Sequence, residues 1–215
     1  MEVSTVISFY GIAALVGIVV LAWFALMALA SFFADSVAEG WATIRERLTP
    51  FALTAAWGVA LLAAAGSLYF SESANYLPCT LCWYQRIAMY PLVLILGIAI
   101  FRRDIDVRIY AIPLAAVGAV IATYHWFLER FPELDYGACS SGIPCTQKWF
   151  EEFGFVTLPM LALIAFLLVI TFLLIPPLRR SADDEDDLDE DDLDEDQDEA
   201  DLEEPAATKP KPTDD

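Results

Sequence analysis

A chain of 215 residues that is 58% apolar is too hydrophobic for an ordinary soluble domain, where the share is about 45–50%. The formal net charge of −19 is concentrated: residues 181–215 hold 19 of the 31 acids and only Lys209 and Lys211, so they carry −17, while residues 1–180 carry −2. The acidity therefore describes a tail and is no guide to the partners of the rest; no nucleic-acid partner is expected.

In chain order, residues 3–34 contain no ionisable side chain except Tyr10. A helix needs about 20 apolar residues to cross ~30 Å of hydrocarbon, so a first spanning helix is predicted over about residues 7–31. "ALA" at 28–30 resembles a signal-peptide cleavage site. Glu2, the lack of a base before the apolar run and the length of that run favour a retained helix. Residues 35–49, "DSVAEGWATIRERLT", read as a short polar helix on the cytoplasmic surface, ended by Pro50. Further spans are predicted over about 51–70, 84–101, 109–127 and 157–175. The third of the five qualifies if Arg86 lies at its end and snorkels to the interface. Residues 183–204 are nearly pure Asp and Glu and are expected to be disordered.

Basic residues orient these spans. Arg45 and Arg47, then Arg102, Arg103 and Arg108, then Arg179 and Arg180 fall on one side if all five helices cross, and that side is cytoplasmic. The N-terminus and segments 71–83 and 128–156 then face outside. All four cysteines, Cys79, Cys82, Cys139 and Cys145, lie in or beside those two outer segments, where an oxidising exterior permits disulfides.

The stretch "LPCTLCWYQR", residues 77–86, puts a thiol pair and a cation at the membrane edge. Pro78 cannot continue a preceding helix but suits the first turn of a new one. Cys82 then falls in a first turn, where free N–H groups and the helix dipole favour an anion, with Arg86 one turn on. Both effects lower a thiol pKa, and only the thiolate attacks disulfides or electrophiles. The same residues also fit a structural disulfide, a zinc site shared with Cys139 and Cys145, or an interfacial arginine anchor. No bound metal is expected.

The second pair sits in "ACSSGIPCTQKWFEEFGF", residues 138–155, a Gly/Ser/Pro-rich loop in which a disulfide would close a small ring exposed to a partner. Trp149, Phe150 and Phe153 can share one face of a short interfacial helix that holds the loop near the first pair; they can equally be an aromatic belt. His125, the only histidine, lies near the outer end of the fourth span, level with Arg86 and Cys82. It is either a packed side chain or a hydrogen-bond donor to a quinone carbonyl.

"GSLYFSESANYLPCTLCWYQRIAMYPLVLILGIA", residues 66–99, resembles the DsbB family of disulfide bond formation proteins, in particular its short BdbC-like subgroup. "YHW" at 124–126, "CSSGIPC" at 139–145 and "FGFVTLPMLALIAFLL" at 153–168 are similar in the same order, so the resemblance covers about residues 51–176. It implies an all-α membrane protein with a DsbB-like four-helix bundle over 51–180; the extra helix and surface segment over 1–50 and the acidic tail over 181–215 depart from the family pattern. It also implies a membrane thiol oxidase that reoxidises an extracytoplasmic thioredoxin-fold (DsbA-like) oxidase and passes electrons to quinone, ubiquinone or menaquinone. On that resemblance Cys79 and Cys82 are the quinone-side pair, with Cys82 meeting the quinone. Arg86 stabilises thiolate and quinone, His125 lies near the quinone ring, and Cys139 and Cys145 exchange with the partner. Two other functions compete. In a vitamin K epoxide reductase type the loop cysteines precede the CxxC, the reverse of the order here. A membrane scaffold with two structural disulfides would be indifferent to quinone.

Overall fold

The computed structural model describes residues 2–175, apart from 105, 136, 138 and 140–142. The acidic tail, with its expected disorder, lies outside the described residues. Five α-helices are described: α1 (Val3–Ala30), α2 (Asp35–Glu72), α3 (Thr80–Arg102), α4 (Arg108–Leu128) and α5 (Leu158–Leu173), with a single 3-10 turn at Pro132–Leu134. The described residues contain no strand, only an isolated bridge between Glu152 and Val156.

Four of these helices, α1 to α4, are long and apolar enough to cross a membrane. The fifth expected span, 157–175, is shorter than the sequence suggests. Thr157 is an extended N-cap and Pro159 sits in the first turn, so α5 begins at Leu158; it ends at Leu173, 16 residues in all. That gives about 24 Å of helix, somewhat less than the ~30 Å hydrocarbon layer. Large apolar side chains such as Phe9, Val16, Ile87, Leu94, Val120 and Leu174 point outward. Helices that satisfy most of their backbone groups internally while showing such a surface are what lipid requires.

The surface helix expected to end at Pro50 does not exist as a separate element. α2 runs unbroken through Pro50 for 38 residues. Proline forfeits one backbone bond inside a helix, and local packing overrides that loss. Thr49 Oγ1 donates to the Arg45 carbonyl at 2.8 Å. Trp41, one of the few buried large side chains before the proline, packs its ring at 5.7 Å from Trp23 and 5.5 Å from Phe24 of α1.

The helices α2, α3, α4 and α5 form a closed ring, each packed on the next and α5 back on α2; α1 lies outside it, against α5 and α2. This is the four-helix bundle with one additional N-terminal helix. Ala56, Ala60, Ala111, Ala115 and Ala122 are buried in the ring beside Leu92, Leu96, Phe166 and Val169. Small residues let backbones approach, which is how helices associate in lipid, where no hydrophobic effect drives them together.

Residues 149–156 do not form the interfacial helix that their aromatic spacing suggests. Phe153 (φ 53°) and Gly154 (φ 76°) are left-handed, and such residues cannot continue a right-handed helix. They make a tight turn closed by Glu152 and Val156. The aromatics still tie the loop to the first cysteine segment: Trp149 stacks on Tyr76 with centroids 5.0 Å apart, and Phe150 lies 5.5 Å from Phe70.

Candidate functional site

Pro78 breaks the chain before α3, and Cys79 becomes the N-cap in extended backbone (φ −78°, ψ 176°). Its sulfur accepts the Cys82 backbone N–H at 3.4 Å, one of the amides a helix start leaves free. The Cys79 and Cys82 sulfurs lie 3.0 Å apart and are not bonded. Cys79 is buried, whereas Cys82 is partly exposed.

His125, in the last turn of α4, connects this pair to the second one. Its Nε2 is 3.6 Å from Cys79 Sγ and 3.2 Å from the Cys145 carbonyl oxygen. On the other side of the ring, Nδ1 is 3.1 Å from Gln85 Nε2. A Gln85 amide that donates to Nδ1 leaves the ring proton on Nε2, shared between a sulfur and a carbonyl. His125 and Gln85 are both buried. The Cys79 thiol is held well below the usual thiol range, first by its hydrogen bond with Cys82 and then by His125, against the opposing effect of burial. The contacts that favour an anion thus converge on Cys79, not on Cys82, where the helix-start argument placed them. The N-cap sulfur, not the sulfur three residues on, receives the free amide and faces the histidine.

Cys139 and Cys145 form a disulfide with Cα atoms 5.8 Å apart. Both are buried and share one apolar cluster with Cys79, Leu81 and Leu128. The Tyr124 hydroxyl donates to the Leu134 carbonyl at 3.1 Å and fixes the chain that leads into this loop.

Arg86 is anchored on α2. Its Nε donates to Ser67 Oγ and its Nη2 to the Ser67 carbonyl, each at 3.0 Å, and Tyr90 donates to the same hydroxyl at 3.4 Å. The guanidinium also lies 5.3 Å from the Trp83 ring centre. Arg86, Ser67, Gln85 and Cys82 line a cavity of about 590 Å³ whose remaining wall is mostly apolar. Polar groups beside a thiol and a mostly apolar remainder suit an amphiphile with a small oxygen-bearing head.

The sulfurs of Cys79 and Cys82 and a His125 nitrogen lie within 4.8 Å of one another, so these three could also hold a metal ion. A four-cysteine zinc site is not formed, because Cys139 and Cys145 are bonded to each other. Ser67 and Gln85 were not singled out from the sequence. Gln85 carried a readable signal, a buried amide in a membrane helix one turn from a thiol; Ser67 becomes visible only when α2 meets α3. Glu129, one turn beyond His125, is also buried, and burial pushes its carboxyl above the usual range.

A family model described as disulfide bond formation protein DsbB matches residues 47–176. The chain belongs to this family. Among its relatives, disulfide bond formation protein C of Bacillus subtilis (strain 168) is 52% identical over 122 residues, covering 56% of this chain and 88% of that protein. Probable disulfide formation protein C 1 of Bacillus anthracis is 46% identical over 126 residues, covering 58% and 91%. A probable disulfide formation protein of Oceanobacillus iheyensis is 45% identical over 116 residues, covering 53% and 79%. No solved structure matches. All four cysteines, Arg86 and His125 lie within the residues matched to the family, whereas α1 lies before them. As a DsbB-family member with several membrane-spanning helices, the chain is a multi-pass membrane oxidoreductase of disulfide formation.

Proposed function

We propose that this protein reoxidises an extracytoplasmic thioredoxin-fold dithiol oxidase, DsbA-like in kind, and passes the two electrons to membrane quinone, ubiquinone or menaquinone. One observation carries the reading: the inner dithiol has two sides. Cys79 packs against the loop disulfide and His125, while Cys82 lines the cavity with Arg86. In this reading both cysteine segments face the extracytoplasmic side and the acidic tail is cytoplasmic, an orientation the arginine distribution supports.

The electrons then have a continuous route. A partner dithiol attacks the Cys139–Cys145 disulfide, leaves as a disulfide and leaves both loop cysteines as thiols. A loop thiolate next attacks the Cys79–Cys82 disulfide. This restores the loop disulfide and leaves the inner pair reduced, the stage to which the present arrangement corresponds. Closing the inner disulfide again releases two electrons and two protons. A bilayer-soluble quinone held in the cavity supplies the matching two-electron, two-proton acceptor. His125 Nε2, which carries the ring proton, is placed to donate a hydrogen bond to the Cys79 thiolate as it forms. Arg86, fixed by Ser67, presents charge and unused N–H groups to an oxygen in the cavity.

The test uses purified protein in lipid nanodiscs with a reduced thioredoxin-fold oxidase and either quinone. Quinone lost should equal partner disulfides formed, one to one. Partner oxidation with no quinone consumed would refute the electron route.

A further inference from the structure

Helix α1 lies outside the family match and adds little to the core. Val6, Gly11, Ala14 and Gly17 are its buried residues, and most of its length faces outward. Its packed face nevertheless borders the cavity beside Cys82. Tyr10, Ala13, Gly17 and Val20 line that cavity together with Ser67 and Arg86 of the ring. Tyr10 stands against Gly66, next to Ser67, and Val20 is ten residues, about 15 Å, deeper along the helix. The α1 wall therefore runs from the head end of the cavity into its apolar depth.

The seat of α1 is built for close approach at two glycines. A Cβ at Gly66 of α2 would lie 2.5 Å from Tyr10 Cζ and 2.6 Å from its hydroxyl oxygen, so only glycine admits the ring there. The Tyr10 hydroxyl donates to the Leu62 carbonyl at 3.0 Å, one turn before that notch. On the other side, a Cβ at Gly17 would lie 2.8 Å from Ile164 of α5. The helix is keyed to α2 at its outer end and to α5 about two turns deeper, and the cavity lies between the two keys.

We propose that α1 is the closing wall of the quinone cavity: keyed by Tyr10 at Gly66 and by Gly17 at α5, it covers the crevice between α2 and α5 and retains the quinone, its Ala13–Val20 face bordering the isoprenoid tail. This rests on the reading of the cavity as the quinone site. The tail then meets protein where a bare four-helix ring would expose it to lipid. Affinity and tail preference are set by a helix that carries none of the redox residues.

The experiment uses the full-length protein in nanodiscs with both cysteine pairs oxidised, so that an added quinone binds without reacting. Equilibrium binding of a short-tailed ubiquinone and a short-tailed menaquinone is measured by titration. Ala13→Phe, which fills the tail channel, and Gly66→Leu, which evicts the Tyr10 ring, should each weaken binding at least tenfold. Single-turnover reduction of the inner disulfide by dithiothreitol should stay within twofold in both. Tyr10→Phe keeps the ring but loses the bond to Leu62, and should weaken binding about two- to fivefold. A quinone with a photoreactive diazirine in its tail should label the peptide 9–20 in the unmodified protein, a readout that needs no variant to fold. Folded variants that bind quinone as the parent does, or labelling confined to lipid-facing positions outside that peptide, would overturn the role of α1 while leaving the quinone site standing. Failure of the parent protein to bind either quinone, with a tightly held lipid recovered from it in place of quinone, would overturn the reading of the cavity itself and this inference with it.

Discussion

Replacing Arg86 by glutamine separates the two roles open to this side chain. In the structure the guanidinium spends Nε and Nη2 on Ser67, both at 3.0 Å. Its charge and its other N–H groups remain for the cavity that it lines with Cys82. Glutamine is two bonds shorter in reach, neutral, and cannot make the same fork. A charge-assisted hydrogen bond is worth about 1.5–3 kcal/mol. At about 1.4 kcal/mol per decade, losing one such bond to a quinone oxygen lowers kcat/KM for quinone by roughly 10- to 150-fold. Lysine restores the charge without the planar fork, so Arg86→Lys should recover only part of the loss. Ser67→Ala removes one anchor of the fork, worth about 1 kcal/mol, and should reduce kcat/KM about fivefold. The assay is the fall in quinone absorbance at saturating reduced partner, with thermal unfolding of each variant measured alongside. If Arg86→Gln leaves both the quinone KM and kcat unchanged, the arginine is an interfacial anchor and the electrostatic argument fails. If activity falls only in proportion to the folded fraction, its role is packing.

Three further outcomes are expected. Cys79→Ser and Cys82→Ser should each abolish quinone-coupled oxidation and still give a folded protein; full turnover in either would end the two-sided dithiol scheme. In reduced protein, Cys79 should alkylate with iodoacetamide at a nearly constant rate from about pH 9 through neutrality and slow only in acid, because its folded pKa is depressed. By the same sign, the stability that this thiolate contributes is fully present above the unfolded thiol pKa near 8.5 and is lost as pH falls through the folded pKa. A labelling rate that drops about tenfold per unit below pH 8.5 is the behaviour of an unperturbed thiol and contradicts the geometry. Zinc at low concentration should protect Cys79 and Cys82 of the reduced protein from alkylation, reversibly by chelation, since their sulfurs converge with His125; unprotected thiols would show that the three cannot act together as ligands.

Uncharged runs betrayed the membrane helices, because hydrocarbon tolerates so few ionisable side chains. Pro78 marked the start of α3 because a missing N–H and a fixed φ act locally. The same local logic failed at Pro50, where α2, packed through Trp41 on the first helix, runs unbroken across a residue that should end it. It failed again at 149–153, where helical spacing of aromatics was read as a helix while the stacking partners, Tyr76 and Phe70, lay some seventy to eighty residues upstream. The functional side chains announced themselves by type: four cysteines, one histidine and one arginine in apolar surroundings. Their supports were less plain: Gln85 signals only as an amide in a membrane helix, and Ser67 is ordinary until α2 packs on α3 and meets Arg86.

The burial of the loop disulfide has a kinetic consequence. A thiolate must reach one sulfur of Cys139–Cys145 before exchange can begin, yet Cys139 is 7% and Cys145 1% exposed, behind Leu128, Leu134 and Ile143. Exchange with an outside thiol therefore proceeds through an opened loop, and the observed rate is the intrinsic rate scaled by the fraction open. A loop open about one part in a hundred slows every passing small thiol about a hundredfold. A protein that binds and pries the loop open escapes that factor. Burial of the two sulfurs thus sets a kinetic barrier to small reductants that a bound partner able to uncover Cys139 or Cys145 would not meet.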